Sequence, residues 1–538
     1  MLQYRSYAYG KNHWRIDPDL REILRIYWPE YVQRIQELDQ FGAFAGGPAY
    51  ETAYAIDRSA APAFLMHDVD GVRVDRALLH SEHADILRET ARINRAPYEG
   101  GSWMEHFTFG YLLADPGLYC SLIVTNQTVY VIHKYAQEHT DWVDPLLSGT
   151  MWGATWMTES QGGSDLGANI TTAAETDSGW IINGEKYFSS NAGLTDLAVV
   201  SARPDGAPAG PKGIALFLVP RLRKNGELNF HVRRLKEKSA TRAVPSGEVE
   251  FHQSEAWLVG APSAGIYYTL EMLTVSRLAN AIGAMGIARK AYFEANERAL
   301  KRTAFGKPIC EHPLMRRDLT DIAVRNAAGM ALTMRAIAAF NASWQSSPPY
   351  TADYHYARFL SHITKNRTAD HSAAVTQLAM EIFGGVGFLD EYAIARWHRE
   401  ALITPIWEGT GNIQSLDMLE AMQKKQAHEP FLAEMIPILE SHGGSVGKRV
   451  AEQILRSVHT MKGLSETEAQ WRSKELLNCF ADAAQTALLY ALADSAGERY
   501  AQIAELYAQR FCFHEDYPAW AINAKAVWAY DPDANAAQ

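Results

Sequence analysis

Apolar residues recur at three- and four-residue steps from Leu278 through Ile282, Met285, Ala288 and Tyr292 to Ala295, the spacing that lays one face of a helix against a core. The period stops at Ala304-Phe305-Gly306-Lys307-Pro308, where glycine and proline break it. Long helices are also predicted over about 313–345 and 352–383, divided by Ser346-Ser347-Pro348-Pro349, which cannot continue a helix. Another follows Asn412, and 430–538 reads as helical by composition. Upstream the period changes. Between Trp152 and about Gly260 the apolar residues come in short alternating or β-branched runs: Trp180-Ile181-Ile182, Lys186-Tyr187-Phe188, Leu197-Ala198-Val199-Val200, Ile214 to Val219 and Val249-Glu250-Phe251. Asn183-Gly184 between the first two predicts a two-residue hairpin, because both positions favour positive φ. Residues 1 to about 150 read mostly as helices punctuated by Gly46-Gly47-Pro48, Ala96-Pro97, Gly100-Gly101 and Asp115-Pro116-Gly117. The predicted fold is α+β and mainly α: an N-terminal helical domain (1–150), a middle β-domain (151–262), a C-terminal helical bundle (263–422) and an extra helical domain (423–538).

The 538 residues are enough for several hydrophobic cores. A net charge of -11 makes the surface as a whole repel nucleic acid and anionic lipid. Residues 421–538 carry 11 Lys and Arg against 15 Asp and Glu, so DNA binding by the tail is not expected. Cys120, Cys310, Cys479 and Cys512 show no C-x-x-C spacing, which predicts free thiols and a reducing compartment. The start, Met1-Leu2-Gln3-Tyr4-Arg5, opens no basic-then-apolar signal pattern. The longest apolar region, Leu118 to Ile132, is interrupted by Asn126 and Gln127 well short of the ~20 residues of a spanning helix. A soluble, cytoplasmic protein is expected. His80, Glu82 and His83 lack the His-Glu-x-x-His order of a zinc site and read as surface helix residues. Gly443-Gly444-Ser445-Val446-Gly447-Lys448 follows no strand and has its first glycine misplaced for a phosphate loop.

The run Trp407-Glu408-Gly409-Thr410-Gly411-Asn412 places one carboxylate on a glycine-flanked backbone. Bare main chain lets a planar ligand lie close and reach N–H donors, which makes Glu408 a candidate general base. Four further runs accompany it: Met157-Thr158-Glu159-Ser160-Gln161-Gly162-Gly163-Ser164-Asp165, then Glu185-Lys186-Tyr187-Phe188-Ser189-Ser190-Asn191, Arg302-Thr303-Ala304-Phe305-Gly306 and Phe383-Gly384-Gly385-Val386-Gly387-Phe388. In type, spacing and order the five resemble the signatures of the acyl-CoA dehydrogenase family over roughly residues 60 to 420. The long N-terminus, Met380-Glu381 before the glycine pair and the helical tail most resemble the subgroup typified by the alkylation-response flavoprotein AidB.

That resemblance implies an N-terminal helical domain, a middle β-domain and a C-terminal four-helix bundle, with noncovalent FAD as cofactor. The implied reaction is α,β-dehydrogenation of an acyl-CoA thioester, in which Glu408 takes the α-proton and the β-hydride passes to flavin N5. A backbone N–H at Glu408 and a ribityl hydroxyl would hold the thioester oxygen as enolate charge develops. Ile406 and Trp407 would give the carboxyl an apolar setting. Some relatives carry the base just before an Arg on the first helix of the C-terminal domain; here that position is Ser276 before Arg277, so Glu408 has no rival. The resemblance also implies flavin contacts. Met157 and Thr158 match residues at the pyrimidine edge, Phe188 and Ser190 those on the ring face and N5 side. Arg302 and Phe305 match a pair reaching the pyrophosphate of a neighbouring subunit's FAD, with Glu381, Gly384 and Gly385 against the same dinucleotide. Thr410 and Asn412 stand at its diphosphate and adenosine end. Ser164, near the pantetheine chain, and Arg277 are implied on the substrate side.

Three departures stand out. Ala304 replaces a hydroxyl residue, Asn412 a smaller polar one, and Glu381 a Gln, putting a negative charge where a phosphate would lie unless a donor faces it. Each match also has a plainer reading: Phe188 as strand core, Arg302 as a helix-end cation, Gly384-Gly385 as a helix terminator. A homotetramer built as a dimer of dimers and an electron-transferring flavoprotein as acceptor follow from the resemblance. Alternatives are an AidB-like stress flavoprotein, or a regulator that binds acyl-CoA with little oxidation.

Overall fold

In the computed structural model, which describes residues 5–177 and 179–529, the chain divides into two compact units. The Met1–Tyr4 start on which the absence of a signal pattern was judged lies outside the described residues. One unit comprises Glu51–Gly101 and Asp115–Ser276; the other comprises Met1–Tyr50, Ser102–Ala114 and Arg277–Gln538.

The first unit holds a seven-stranded sheet in the order Gly153–Trp156, Leu197–Pro204, Thr172–Thr176, Gly179–Ser190, Ser246–Leu258, Ala215–Pro220, with His231–Leu235 paired on Ser246–Leu258. Leu197–Pro204 also pairs antiparallel with Ala215–Pro220, so the sheet closes on itself. Trp156, Phe217, Phe230, Val249 and Phe251 fill the enclosed core, and Phe64 and Trp180 pack onto it. The hairpin predicted at Asn183-Gly184 is not there. Gly179–Ser190 runs straight through as one strand, and the pair forms a bulge against Ser246–Leu258. Asn183 Oδ1 accepts the Gln253 N–H at 2.8 Å, and a Cβ on Gly184 would stand 2.8 Å from Thr171 Cα. The positive φ of Gly184 is therefore used for close strand packing rather than for a turn. The true hairpin lies one strand earlier, with Thr176 paired to Gly179. The first 150 residues are also not all helical, since Ala63–His67 and Arg73–Leu78 form an antiparallel pair whose Ala77 N–H reaches the Gly193 carbonyl at 3.1 Å.

In the second unit, helices Pro313–Ser343 and Ala352–Phe383 match their predicted spans. The helix Gly265–Lys301 ends before a short hairpin at the expected breaker and passes from one unit to the other between Ser276 and Arg277. Residues 423–538, expected as a separate domain, group with 277–422. The reason is chemical. Helix Glu466–Ala496 binds Ala352–Phe383 through a bidentate Arg367–Asp482 pair at 2.7 and 2.9 Å, a His371–Gln485 hydrogen bond and the edge-to-face rings of Phe359 and Phe480. That helix is also the one described helix long and apolar enough to cross a membrane by length and composition. It, not Leu118 to Ile132, is the most apolar long segment, and it is mostly buried within the protein as a core helix. His83 is buried rather than on the surface, and no described group of His, Cys, Asp and Glu could hold a metal.

Buried neutral histidines set the acid limit of this unit. His13 and His362 are each pushed down to about 3 by burial, and His371 lies well below the ordinary value for the same reason. All three are protonated in the unfolded chain below a pH of about 6.5 and stay neutral in the folded one. Stability is thus complete above about 6.5 and falls as the pH drops towards 3, at about 4 kcal/mol per pH unit once all three count. Denaturant midpoints measured from pH 7 to 4 should show this slope; a flat profile would contradict the neutral assignment.

Candidate active site

Glu408 sits in the loop between helices Ala393–Ala401 and Gly411–Lys425 with φ of 59°, a left-handed backbone that costs a non-glycine residue about 1–2 kcal/mol. Its main chain is clamped from below. Arg277 Nε and Gln414 Nε2 donate to the Glu408 carbonyl at 3.3 and 2.9 Å, and Lys365 Nζ and Gln414 Nε2 donate to the Gly409 carbonyl at 2.7 and 3.0 Å. Gly409 has φ of 94°, and a Cβ there would lie 2.7 Å from Gln414 Nε2. With both carbonyls turned inward, the strained loop holds the carboxyl-bearing residue in one orientation.

Arg277 differs from its expected place on the substrate side. Its buried guanidinium also donates to Asp417 at 2.8 Å and meets His362 Nδ1 at 3.3 Å, so it supports the loop rather than a ligand. Ile406 departs too: it is 59% exposed, while Trp407 turns inward and donates from its indole to Asn280. The apolar setting expected of the pair rests on Trp407 within this unit.

Further along, Arg302 follows directly on helix Gly265–Lys301 and donates to the Phe383 carbonyl at 3.3 Å. Gly384 caps helix Ala352–Phe383 with φ of 69°, and a Cβ on it would come 3.1 Å from Arg302 Nη1. The terminator reading and the close-approach reading are therefore both true of Gly384. Nothing lies within 4 Å of where a Gly385 Cβ would be. Phe305, with φ of 53°, is 96% exposed. Glu381 has no cationic partner facing it; Gln377 donates to it at 3.3 Å, and it adds to the effect of burial and of Asp321 that pushes Asp318 up to about 6. Thr410 caps Gly411–Lys425 without using its hydroxyl, which leaves the first-turn N–H groups beside two exposed polar side chains, Thr410 and Asn412.

In the other unit the Met157 carbonyl accepts from Asn169 Nδ2 at 2.8 Å and Lys186 Nζ at 3.2 Å, and the Thr158 carbonyl from the Tyr187 N–H at 2.9 Å. What this pair can offer a ligand is N–H and hydroxyl donors. Behind it stands a fully buried ion pair, Lys186 to Glu159 at 2.8 Å, with Glu159 also accepting the Ile170 and Thr171 N–H groups. Burial pushes Lys186 down to about 8 against the pull of Glu159. Both residues were within the quoted motifs, yet nothing in their spacing marked them as partners. Phe188 is 59% exposed and so is not strand core; Lys236 Nζ lies 4.9 Å from its ring centre. Ser190 keeps its hydroxyl near Cys120 Sγ at 3.8 Å while its carbonyl accepts the Trp156 indole N–H. Ser164 is exposed in the loop after Thr158.

These features fit a dinucleotide. The exposed guanidinium of Arg302 beside two glycines and the open start of a 15-residue helix suit phosphate, and an exposed aromatic on a strand suits a flat ring.

Comparisons with known proteins agree with the motifs. The adaptive response protein AidB N-terminal domain matches residues 6–151, the acyl-CoA dehydrogenase middle domain 154–254 and the acyl-CoA dehydrogenase C-terminal domain 263–423. The AidB protein of Escherichia coli (strain K12) is 29% identical over 401 residues, which cover 69% of this chain and 71% of that protein. Caenorhabditis elegans ACDH-11, solved in complex with C11-CoA, shares the fold with a TM-score of 0.81 at 23% identity over 96% of this chain and 94% of its own. A Bacillus anthracis acyl-CoA dehydrogenase complexed with FAD shares it with a TM-score of 0.66 at 16% identity over 97% and 88% of the two chains.

Proposed function

Because the chain belongs to the acyl-CoA dehydrogenase family of FAD-dependent oxidoreductases, with an AidB-type N-terminal domain, we propose that it oxidises an acyl-CoA thioester at Cα–Cβ with Glu408 as the base. The observation that carries this reading is the clamped loop: two inward carbonyls, four donor contacts and a left-handed Glu408. Such a loop restricts the carboxylate to one approach, and a positioned base contributes by being held within reach of the proton it removes. The Glu408 N–H, on the opposite side of the residue from its fixed carbonyl, is proposed to hold the thioester oxygen as charge develops there. FAD, when bound, supplies the two-electron oxidant. Met157, Thr158, Phe188 and Ser190 would hold its ring, and Thr410, Asn412, Arg302, Gly384 and Gly385 its phosphates.

An electron-transferring flavoprotein as acceptor, a homotetrameric assembly and a cytoplasmic location are part of the same proposal. Anaerobic mixing of the flavin-loaded protein with acyl-CoAs of graded length tests it, with loss of the visible flavin band expected for at least one length. Binding without bleaching at every length would instead make the chain an acyl-CoA-binding regulator. Arg302→Ala is expected to weaken FAD retention by about 10- to 100-fold, since a charge-assisted hydrogen bond contributes about 1.5–3 kcal/mol. Flavin release on dilution reads this directly, and unchanged release would remove Arg302 from the cofactor site.

A further inference from the structure

We propose that Lys365 is a positioning residue for the dehydrogenation: its ammonium group, fixed on the Gly409 carbonyl, holds the Glu408 loop and keeps the Glu408 carboxylate ionised for proton abstraction. The inference rests on Glu408 being the base.

Lys365 lies on helix Ala352–Phe383 with no exposed surface, and its Nζ donates to Gly409 at 2.7 Å across 44 residues of sequence. A neutral donor would satisfy that carbonyl, and one already does: Gln414 Nε2 stands 3.0 Å from the same oxygen. The hydrogen bond alone therefore does not account for a buried cation, which carries a desolvation cost unless a counter-charge offsets it. Glu408 and Asp370 are the anions that favour the charged form of Lys365, and Arg277 opposes it. Arg277 is itself held by Asp417 on helix Gly411–Lys425, and His362, next to it, is neutral. Asp370 is shared with Arg367 and with Lys474 on helix Glu466–Ala496. Glu408 is thus the anion whose charge is not divided among several arginines or lysines by any contact described above. Burial brings Lys365 down to about 7, so it changes charge in the neutral range, where the enzyme would work.

The test is the pH dependence of flavin reduction at saturating acyl-CoA in the wild type, Lys365→Arg and Lys365→Met. The wild type should lose rate at low pH, as Glu408 takes up a proton, and at high pH, as Lys365 loses one. Lys365→Arg should keep the acid limb and lose the alkaline limb. Lys365→Met should move the acid limb up by about one to three pH units, the shift expected when a nearby opposite charge is removed, with KM changed much less than kcat. A uniform loss of rate with unmoved limbs, or an alkaline limb retained in Lys365→Arg, would overturn the proposal. A second readout needs no turnover: unfolding midpoints of Lys365→Met, Glu408→Gln and the double variant at pH 6. Coupled effects are expected, and additive ones would overturn the proposal even if Lys365→Met folds poorly at higher pH. Coupled effects in a protein whose flavin no acyl-CoA reduces would overturn the dehydrogenase reading, and with it the role in catalysis, while leaving the ion pair in place.

Discussion

Replacing Glu408 with Gln lowers the rate of acyl-CoA-driven flavin reduction by about 100- to 10,000-fold, the contribution of a positioned base, while acyl-CoA still binds. The reason is local. The donors that fix the loop, Arg277, Gln414 and Lys365, all reach main-chain oxygens of Glu408 and Gly409, so an amide in place of the carboxylate leaves them untouched. Glu408→Asp should fall between the two, because it keeps the charge and shortens the reach. Stopped-flow absorbance gives the rates, and spectral perturbation of the flavin gives binding. A Gln variant that reduces its flavin as fast as the wild type would remove Glu408 from the chemistry.

The second large effect concerns stability. Glu159→Gln leaves Lys186 buried without its counter-charge, which costs about 3–5 kcal/mol, or about 10 °C in the unfolding midpoint of a unit of roughly 200 residues. Lys186 already sits at about 8 in the folded protein, below the unfolded value of a lysine. The unfolded chain therefore binds the extra proton between those two values, and stability rises with pH across that window. In the variant the fall deepens and the window widens downward, so the loss should be largest at neutral pH and shrink towards pH 10. Glu159→Gln combined with Lys186→Met should recover much of the loss. Thermal unfolding across pH measures all of this. A Gln variant as stable as the wild type at pH 7 would mean that the pair is not an ion pair.

The parts legible in the sequence were those with a local signal. The 3.6-residue period gave the helices 313–343 and 352–383, and the double proline between them gave the break. The glycine-flanked runs gave Glu408, Arg302 and Gly384 because bare backbone and residue order are visible one after another. What stayed hidden depends on partners distant in sequence. Lys365 and Gly409 are 44 residues apart, Glu159 and Lys186 27 apart, and neither separation has a period to reveal it. Asn183-Gly184 misled for a related reason: the dipeptide supplies positive φ, but whether that becomes a turn or a bulge is decided by Thr171 and Gln253, which pack against it. The expectation for Ile406 failed because loop residues next to a strained position take their orientation from the clamp beneath, not from hydrophobicity.

One measurement bears most directly on the central claim that this chain dehydrogenates acyl-CoA thioesters: the visible spectrum of the flavin-loaded wild-type protein, titrated anaerobically with acyl-CoAs of increasing length. Stoichiometric bleaching with formation of an enoyl-CoA is the expected result. A flavin band that persists with every thioester, in a protein shown to bind them, would contradict it.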